Sequence, residues 1–512
     1  MRNQKRILTQ SRQGAKDEDR KQRTKTILFN SFVDLSIPTK NIFAPLREKT
    51  KNLPQKRVYF IMSQDFSRAT NGSDSKCQQL YRLAKKIIPG GTQLLSKRPE
   101  MFAPDQWPGY YREARGCEVV DIDDRRYLDM SYMGIGACLL GFNDPDVTKA
   151  VVDRVQNGSM CTLNCPEEVE LAQLLLSIHP WAEQVRFGRS GGEAMALAVR
   201  IARAATGRDV VAFCGYHGWH DWYLAANRTT QTNGDALKKH LLPGLSPNGV
   251  PSQLAGTALP FNYNQLDSLA EIVKQQGTRL AAVVMETTRH SDPAPGFLEG
   301  VRELCHSVGA VLVFDEISIG WRLRLGGAHL RFGVDPDIAV FAKAMGNGHP
   351  MAAILGRSAV MQAAQESFIS STYWTEGVGP TAALATIRKM QRIDVPSYIA
   401  DIGMKLREGV QKIAAKASVP LKLSGYPAMT YFGFEHPEAL ALQTLLTVRM
   451  LKHGILAGGG FYPSLAHTVQ HVDQYLSAAE EVFAELGEAI RKNDITARIG
   501  GPVRHSGFAR LA

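Results

Sequence analysis

Between residues 184 and 342 short apolar stretches recur, each followed by a glycine-rich or polar turn and then by a segment of helical periodicity. The stretches are 184–187, 210–214, 281–286, 311–315 and 338–342, and helices are expected over 192–205, 265–275, 300–308 and 378–392. Strands that read as nearly unbroken apolar runs must be covered on both faces, the situation of a parallel sheet sandwiched by helices. The pattern therefore predicts an α/β fold with a doubly wound, mainly parallel sheet. Upstream, an amphipathic helix over 78–88 ends at Pro89-Gly90-Gly91, and a hairpin over 117–128 turns at Asp123-Asp124-Arg125. Further helices are expected over 145–155 and 167–178. After about residue 393 the order changes to helix, strands, helix, which predicts a smaller α+β C-terminal domain. The expected division is a basic extension over 1–61, an N-terminal segment over 62–140, a large domain over 141–392 and a small domain over 393–512.

The net charge of +11 invites a nucleic-acid reading, but its distribution argues against one. Residues 1–61 carry 15 Lys/Arg and 5 Asp/Glu, leaving +1 for the remainder. The basic character belongs to an extension that reads as solvated and disordered, either a genuine arm for anionic partners or a start assigned too far upstream at a chain whose ordinary beginning is Met62. No run of 18 apolar residues predicts a membrane span. The seven scattered cysteines, without a C-x-x-C pair, suit thiols in a reducing cytoplasm better than a disulfide framework or a metal site.

Chemistry concentrates where the strands end, the edge at which open parallel sheets bind ligands. The first such place is Arg189-Ser190-Gly191-Gly192-Glu193. Glycines opening a helix let backbone amides approach an anion, although the same turn serves as a plain connection with Ser190 as its cap. The second, Gly215-Tyr216-His217-Gly218, offers an aromatic ring to stack on a flat heterocycle, or simply packs. The third is Asp315, at the end of a buried apolar strand, where a carboxylate needs a partner such as a protonated ring nitrogen or else caps the next segment. The fourth is Lys343, delivered by an apolar strand into Ala344-Met345-Gly346-Asn347-Gly348. Partial burial there would lower its pKa and suit it to imine formation, unless it merely emerges at a strand end.

In order and spacing these four places resemble the class III (subgroup II) aminotransferases of pyridoxal-phosphate (PLP) fold type I. The likeness runs from about Pro89 to about Leu486 and includes Leu140-Gly141-Phe142, Gly296-Phe297-Leu298 and Gly333-Val334-Asp335-Pro336-Asp337. Within the class it is nearest glutamate-1-semialdehyde 2,1-aminomutase and its transaminase relatives. The resemblance implies that Lys343 forms the Schiff base and shuttles the proton, that Asp315 pairs with the pyridine nitrogen, and that Tyr216, beside His217, stacks on the ring. Ser190, Gly191 and Gly192 would hold the phosphate, helped by Thr372 (or Thr375) reaching it from the neighbouring subunit of a homodimer. Three departures bear on substrate. Lys97 and Arg98 stand near the arginine that binds substrate carboxylate in the aminomutases. Glu286-Thr287-Thr288-Arg289-His290-Ser291 lacks an expected asparagine, for which His290 or Ser291 could substitute. Trp321 enters a run that is more polar in the family, lining a different pocket or packing in the core. The expected function is amino transfer from a small-molecule donor to a carbonyl acceptor. The alternatives are intramolecular amino migration by an aminomutase and a non-catalytic binding protein using the basic extension.

Overall fold

The computed structural model describes residues 75–228, 236–237 and 245–507; the basic extension over 1–61 lies outside them. The N-terminal part contains helix α1 (Lys76–Ile87) and strands β1 (Tyr111–Arg115), β2 (Glu118–Asp121) and β3 (Arg126–Asp129), followed by α2 (Pro145–Gln156) and α3 (Glu167–Ile178). The hairpin forms where expected, and α1 ends at the Pro-Gly-Gly turn because proline cannot extend it.

The central sheet is built from β4 (Gln184–Gly188), β5 (Val210–Cys214), β6 (Ala258–Pro260), β7 (Leu280–Glu286), β8 (Val311–Asp315), β9 (Ile338–Phe341) and β10 (Ala352–Gly356). Its spatial order is β4-β10-β9-β8-β7-β5-β6. Every neighbouring pair is parallel except the two made by β10, which runs against both β4 and β9. Helices α4 (Gly191–Thr206), α5 (Leu266–Gln276), α6 (Phe297–Ser307) and α7 (Val378–Arg392) accompany it. Alternation along β8 distributes the core: Val311 and Val313 pack with the α4 layer, Leu312 and Phe314 with the α5–α6 layer. That two-sided burial makes the strands uniformly apolar. Strands β6 and β10 are not among those expected from the sequence; β10 reads Ala-Ala-Ile-Leu-Gly, and periodicity cannot separate so short a run from helix.

The C-terminal part runs α8 (Val395–Lys416), β11 (Leu421–Tyr426), β12 (Met429–Phe434), α9 (Ala439–Lys452), β13 (Ile455–Leu456), β14 (Gly460–Phe461), α10 (Val469–Lys492) and α11 (Ile495–Ile499). Strands β11, β12 and β14 form one antiparallel sheet. β13 instead adds in parallel to β3, so the N-terminal hairpin and the C-terminal helices share a hydrophobic core.

Candidate active site

Because β5, β7, β8 and β9 are parallel and in register, their last residues share one edge: Cys214 lies opposite Met285, Glu286 opposite Asp315, and Asp315 opposite Val340. Beyond that edge opens a cavity of about 590 Å³. Ser190, Gly191 and Gly192 line one side, Tyr216 and His217 another, and Asp315 and Lys343 the strand ends. The fold thus gathers residues as far apart in sequence as 190 and 343.

Ser190 precedes α4, and the Glu193 carboxylate accepts hydrogen bonds from the backbone N–H groups of Arg189 (2.7 Å) and Ser190 (3.3 Å). This ties the turn to its own helix and leaves the glycine amides of a 16-residue helix at the cavity. A side chain at Gly191 would meet Ile317 at 3.0 Å, and one at Gly192 would meet the His220 ring at 3.2 Å. At both glycines a side chain would require its neighbour to give way by a few tenths of an ångström.

Asp315 is 4% exposed. Its Oδ2 lies 2.8 Å from His217 Nδ1, and its Oδ1 accepts from the Ile317 N–H at 3.0 Å. His217 Nε2 is buried and meets no partner among the described residues, so an unsatisfied polar atom stands beside the carboxylate. Tyr216 remains partly exposed with its ring toward the cavity, and burial followed by the nearby Asp315 charge pushes its hydroxyl pKa up.

Lys343 follows β9 with a φ of +47°, a left-handed conformation that costs a non-glycine residue and persists when its surroundings enforce it. Burial pushes its pKa down; Asp315 and Glu286 oppose that, and Arg322 reinforces it. Its Nζ donates to Ser318 Oγ at 2.6 Å. Ser318 was missed in the sequence because it sits among bulky neighbours with no motif around it.

A second cavity, of about 430 Å³, shares Tyr216, Ser318 and Lys343 with the first. It extends toward the C-terminal part and is lined by Glu286, Arg289, His290, Tyr431, Tyr462 and Arg504, among others. Glu286 accepts from the Tyr216 N–H at 3.3 Å and pairs with Arg289 at 3.2 Å. The hydroxyl of Tyr462 donates to that of Tyr431 at 2.7 Å, and His290 packs edge-on against Tyr431. Of this wall, His290 stands out in the sequence, whereas its C-terminal members Tyr431, Tyr462 and Arg504 carry no local signal.

The other substrate-side residues separate. Lys97 lines an adjoining chamber. Arg98 lines none of these three cavities and folds toward Gly90, where a side chain would stand 2.3 Å from its Nη2. Trp321 is 1% exposed and packs in the core on Phe341. Thr372 is exposed and lines none of these three cavities, in a turn held to Arg189 by a 2.7 Å ion pair with Glu376 and by the carbonyl of Trp374.

A lysine and a carboxylate at neighbouring strand ends, facing a glycine-lined helix start across one cavity, suit a phosphorylated heteroaromatic aldehyde. Comparison with known proteins agrees. Residues 102–483 match the family described as aminotransferase class-III. The chain is 30% identical over 429 residues to 3-aminobutyryl-CoA aminotransferase of Cloacimonas acidaminovorans, covering 82% of this chain and 98% of that protein. It is 33% identical to glutamate-1-semialdehyde 2,1-aminomutase of Desulfovibrio desulfuricans, covering 80% and 100%. The crystal structure of an omega-transaminase from Sphaerobacter thermophilus superposes with a TM-score of 0.70 at 26% identity, covering 81% and 98%. The fold is that of the fold type I enzymes. With the strand-end lysine and carboxylate in place, the chain belongs to the class III aminotransferases, which depend on pyridoxal phosphate.

Proposed function

We propose that Lys343 anchors the cofactor of an aminotransferase that moves an amino group from a small-molecule donor to a carbonyl acceptor. The observation that carries this reading is the convergence of Lys343, Asp315 and the Gly191-Gly192 turn on one cavity. When bound, the cofactor supplies the electron sink for breaking a C–H bond beside nitrogen. The protein's own residues do the rest. The helix start at Ser190, Gly191 and Gly192 would bind the phosphate, Asp315 would hold a proton on the ring nitrogen, and Tyr216 would cover one ring face. Lys343 would move the proton at its Nζ, a task suited to an amine whose pKa burial has lowered.

Two features favour intermolecular transfer over the aminomutase reaction. The position nearest the aminomutase carboxylate-binding arginine is Lys97, which lines the adjoining chamber, and Arg98 is turned toward Gly90. Lysine does not reproduce the planar fork of a guanidinium. We also propose a homodimer; the exposed position of Thr372, in a turn held by Arg189, supports a role for it toward a second subunit. We take residues 141–392 and 393–512 as its large and small domains. Seven unpaired thiols fit a cytoplasmic location, and no helix among the described residues is long and apolar enough to cross a membrane.

The test is the visible absorption of the purified protein before and after borohydride, compared with Lys343→Ala. A yellow protein whose band is lost on reduction, with the tag on Lys343, is expected. A colourless wild type that takes up no added cofactor overturns the reading.

A further inference from the structure

The chamber that Lys97 lines has a volume of about 460 Å³, and the hairpin of β2 and β3 forms one of its walls. Side chains alternate between the faces of a strand, so Val119 and Asp121 of β2 share a face with Tyr127 and Asp129 of β3. All four line the chamber, while Leu128 on the opposite face packs into the core shared with the C-terminal helices. An inward face is ordinarily apolar; this one carries two carboxylates.

Both carboxylates are buried. Asp121 is satisfied locally: its Oδ1 accepts from the Asp123 and Arg125 N–H groups at 2.8 and 2.9 Å, and its Oδ2 takes the Tyr127 hydroxyl at 3.4 Å. Asp129 is satisfied at one oxygen. Its Oδ1 accepts from the Ser131 N–H at 2.9 Å and the Ser131 hydroxyl at 2.6 Å, and no described residue donates to its Oδ2. The arginines of β1 pair elsewhere, Arg112 with Asp124 and Arg115 with Glu113, and neither chamber carboxylate forms an ion pair among the described residues. The charged lining is thus two carboxylates against the one ammonium of Lys97, a net charge of −1, and Lys97 is itself exposed. Burial pushes the Asp129 pKa up, opposed by the Ser131 donors and the Lys97 charge.

Aromatic rings complete the enclosure. Phe102 and Trp107 stack at 4.1 Å, Tyr132 tilts against Phe102 at 6.2 Å, and Tyr127 belongs to the same cluster. Ring faces attract a cation, and a buried carboxylate lacking a partner adds a full charge for it to neutralise. An anion would be repelled by the two carboxylates, and an apolar guest would leave Asp129 Oδ2 unanswered.

The chamber borders both cavities of the active site: Phe102, Tyr132 and Ile135 also line the second, and Ala137 and Gly348 the first. Resting on the aminotransferase reading, we infer that it receives the distal ammonium of a substrate carrying two amino groups, the other of which reacts beside Lys343. Asp129 and the rings around it thereby select for diamines.

The test uses the cofactor-loaded full chain. Choline and 3,3-dimethylbutanol share a shape and differ in charge, and neither can form an imine, so calorimetric titration with them reads the chamber without turnover. Choline should bind the wild type at least about tenfold more tightly than the alcohol. Asp129→Asn keeps the acceptor for Ser131 and should erase most of that preference; where it does not fold, Trp107→Leu should weaken choline by roughly three- to tenfold. Lys97→Gln removes a like charge and should tighten choline by about two- to fivefold. Equal binding of the two probes to the wild type, or weaker choline binding in Lys97→Gln, overturns the inference. Single-turnover conversion of diaminoalkanes from 1,4-diaminobutane to 1,8-diaminooctane, each against the monoamine of the same length, connects the chamber to the substrate. At one length or more the diamine should react at least about tenfold faster, and Asp129→Asn should bring that ratio near unity. A ratio near unity in the wild type, or one unchanged in the variant, overturns the inference also. Such a failure in yellow protein that borohydride labels at Lys343 concerns the chamber alone, whereas absence of colour and label strikes the aminotransferase reading.

Discussion

Gly218 and Gly192 touch backbone to backbone: a Cβ on Gly218 would stand 2.8 Å from the Gly192 Cα. The loop bearing Tyr216 and His217 is thereby seated on the first turn of α4, fixing the Tyr216 ring relative to the glycine amides. Gly218 also has a φ of +101°, which L side chains rarely adopt. Gly218→Ala is expected to cost about 1–3 kcal/mol of stability and to weaken cofactor binding by pushing the two elements apart. Thermal unfolding and a cofactor titration check this, and an unchanged titration would mean that the contact positions nothing.

Asp315 and His217 form a second coupled pair, at 2.8 Å. The isosteric change Asp315→Asn keeps the shape and removes the charge. Turnover should fall on the order of 10²-fold or more, about 3 kcal/mol of barrier, with cofactor still bound. His217→Gln keeps a hydrogen bond to the carboxylate and should lose roughly tenfold. Single-turnover rates on cofactor-loaded protein separate the two. Equal losses would indicate that His217 contributes more than orientation.

Much of this was legible in the sequence, for a physical reason. A parallel sheet buries its strands on both faces and brings their ends to one edge, so apolar runs punctuated by Ser190, Tyr216, Asp315 and Lys343 announce the layout and the residues that meet at one cavity. The opposite wall was not legible. Tyr431, Tyr462 and Arg504 come from a part of the chain where tyrosines read as ordinary packing, and only tertiary folding brings them to Lys343. Ser318 shows the same limit, since a single hydroxyl matters only because Lys343 Nζ lies 2.6 Å away. Strand β10 was missed because its antiparallel insertion between β4 and β9 is a topological fact with no local signal.

Glu316, next to Asp315, serves the scaffold. Fully buried, it accepts from Thr287 Oγ1 (2.8 Å), the Ala328 and His329 N–H groups (2.9 and 2.8 Å) and His329 Nδ1 (2.9 Å). Burial alone would raise its pKa, and the His329 and backbone donors more than reverse this, holding it below the ordinary carboxylate value. Glu316→Ala strands those donors and should cost about 3–5 kcal/mol in chemical denaturation. A loss below about 1 kcal/mol would show that water or rearrangement replaces the carboxylate.

Stability should fall on acidification in a window set by two buried histidines. Burial drives His179 and His467 from 6.5 down to about 4. His179 Nδ1 faces the Leu175 carbonyl at 2.9 Å, so it carries the proton, and Nε2 is buried without a partner among the described residues. His467 donates from Nε2 to the Asp129 carbonyl and accepts the Ser464 N–H at Nδ1. Both rings are held neutral. Between pH 6.5 and 4 the unfolded chain binds more protons at these positions than the folded one, so stability is fully present above 6.5 and declines as pH falls. Each ring can account for about 3 kcal/mol across the window. His179→Leu should lower stability at pH 7 through lost contacts yet flatten the slope between pH 6.5 and 4 by roughly half. Denaturation midpoints at half-unit pH steps measure that slope. An unchanged slope would assign the acid sensitivity to other groups and leave His179 as packing alone.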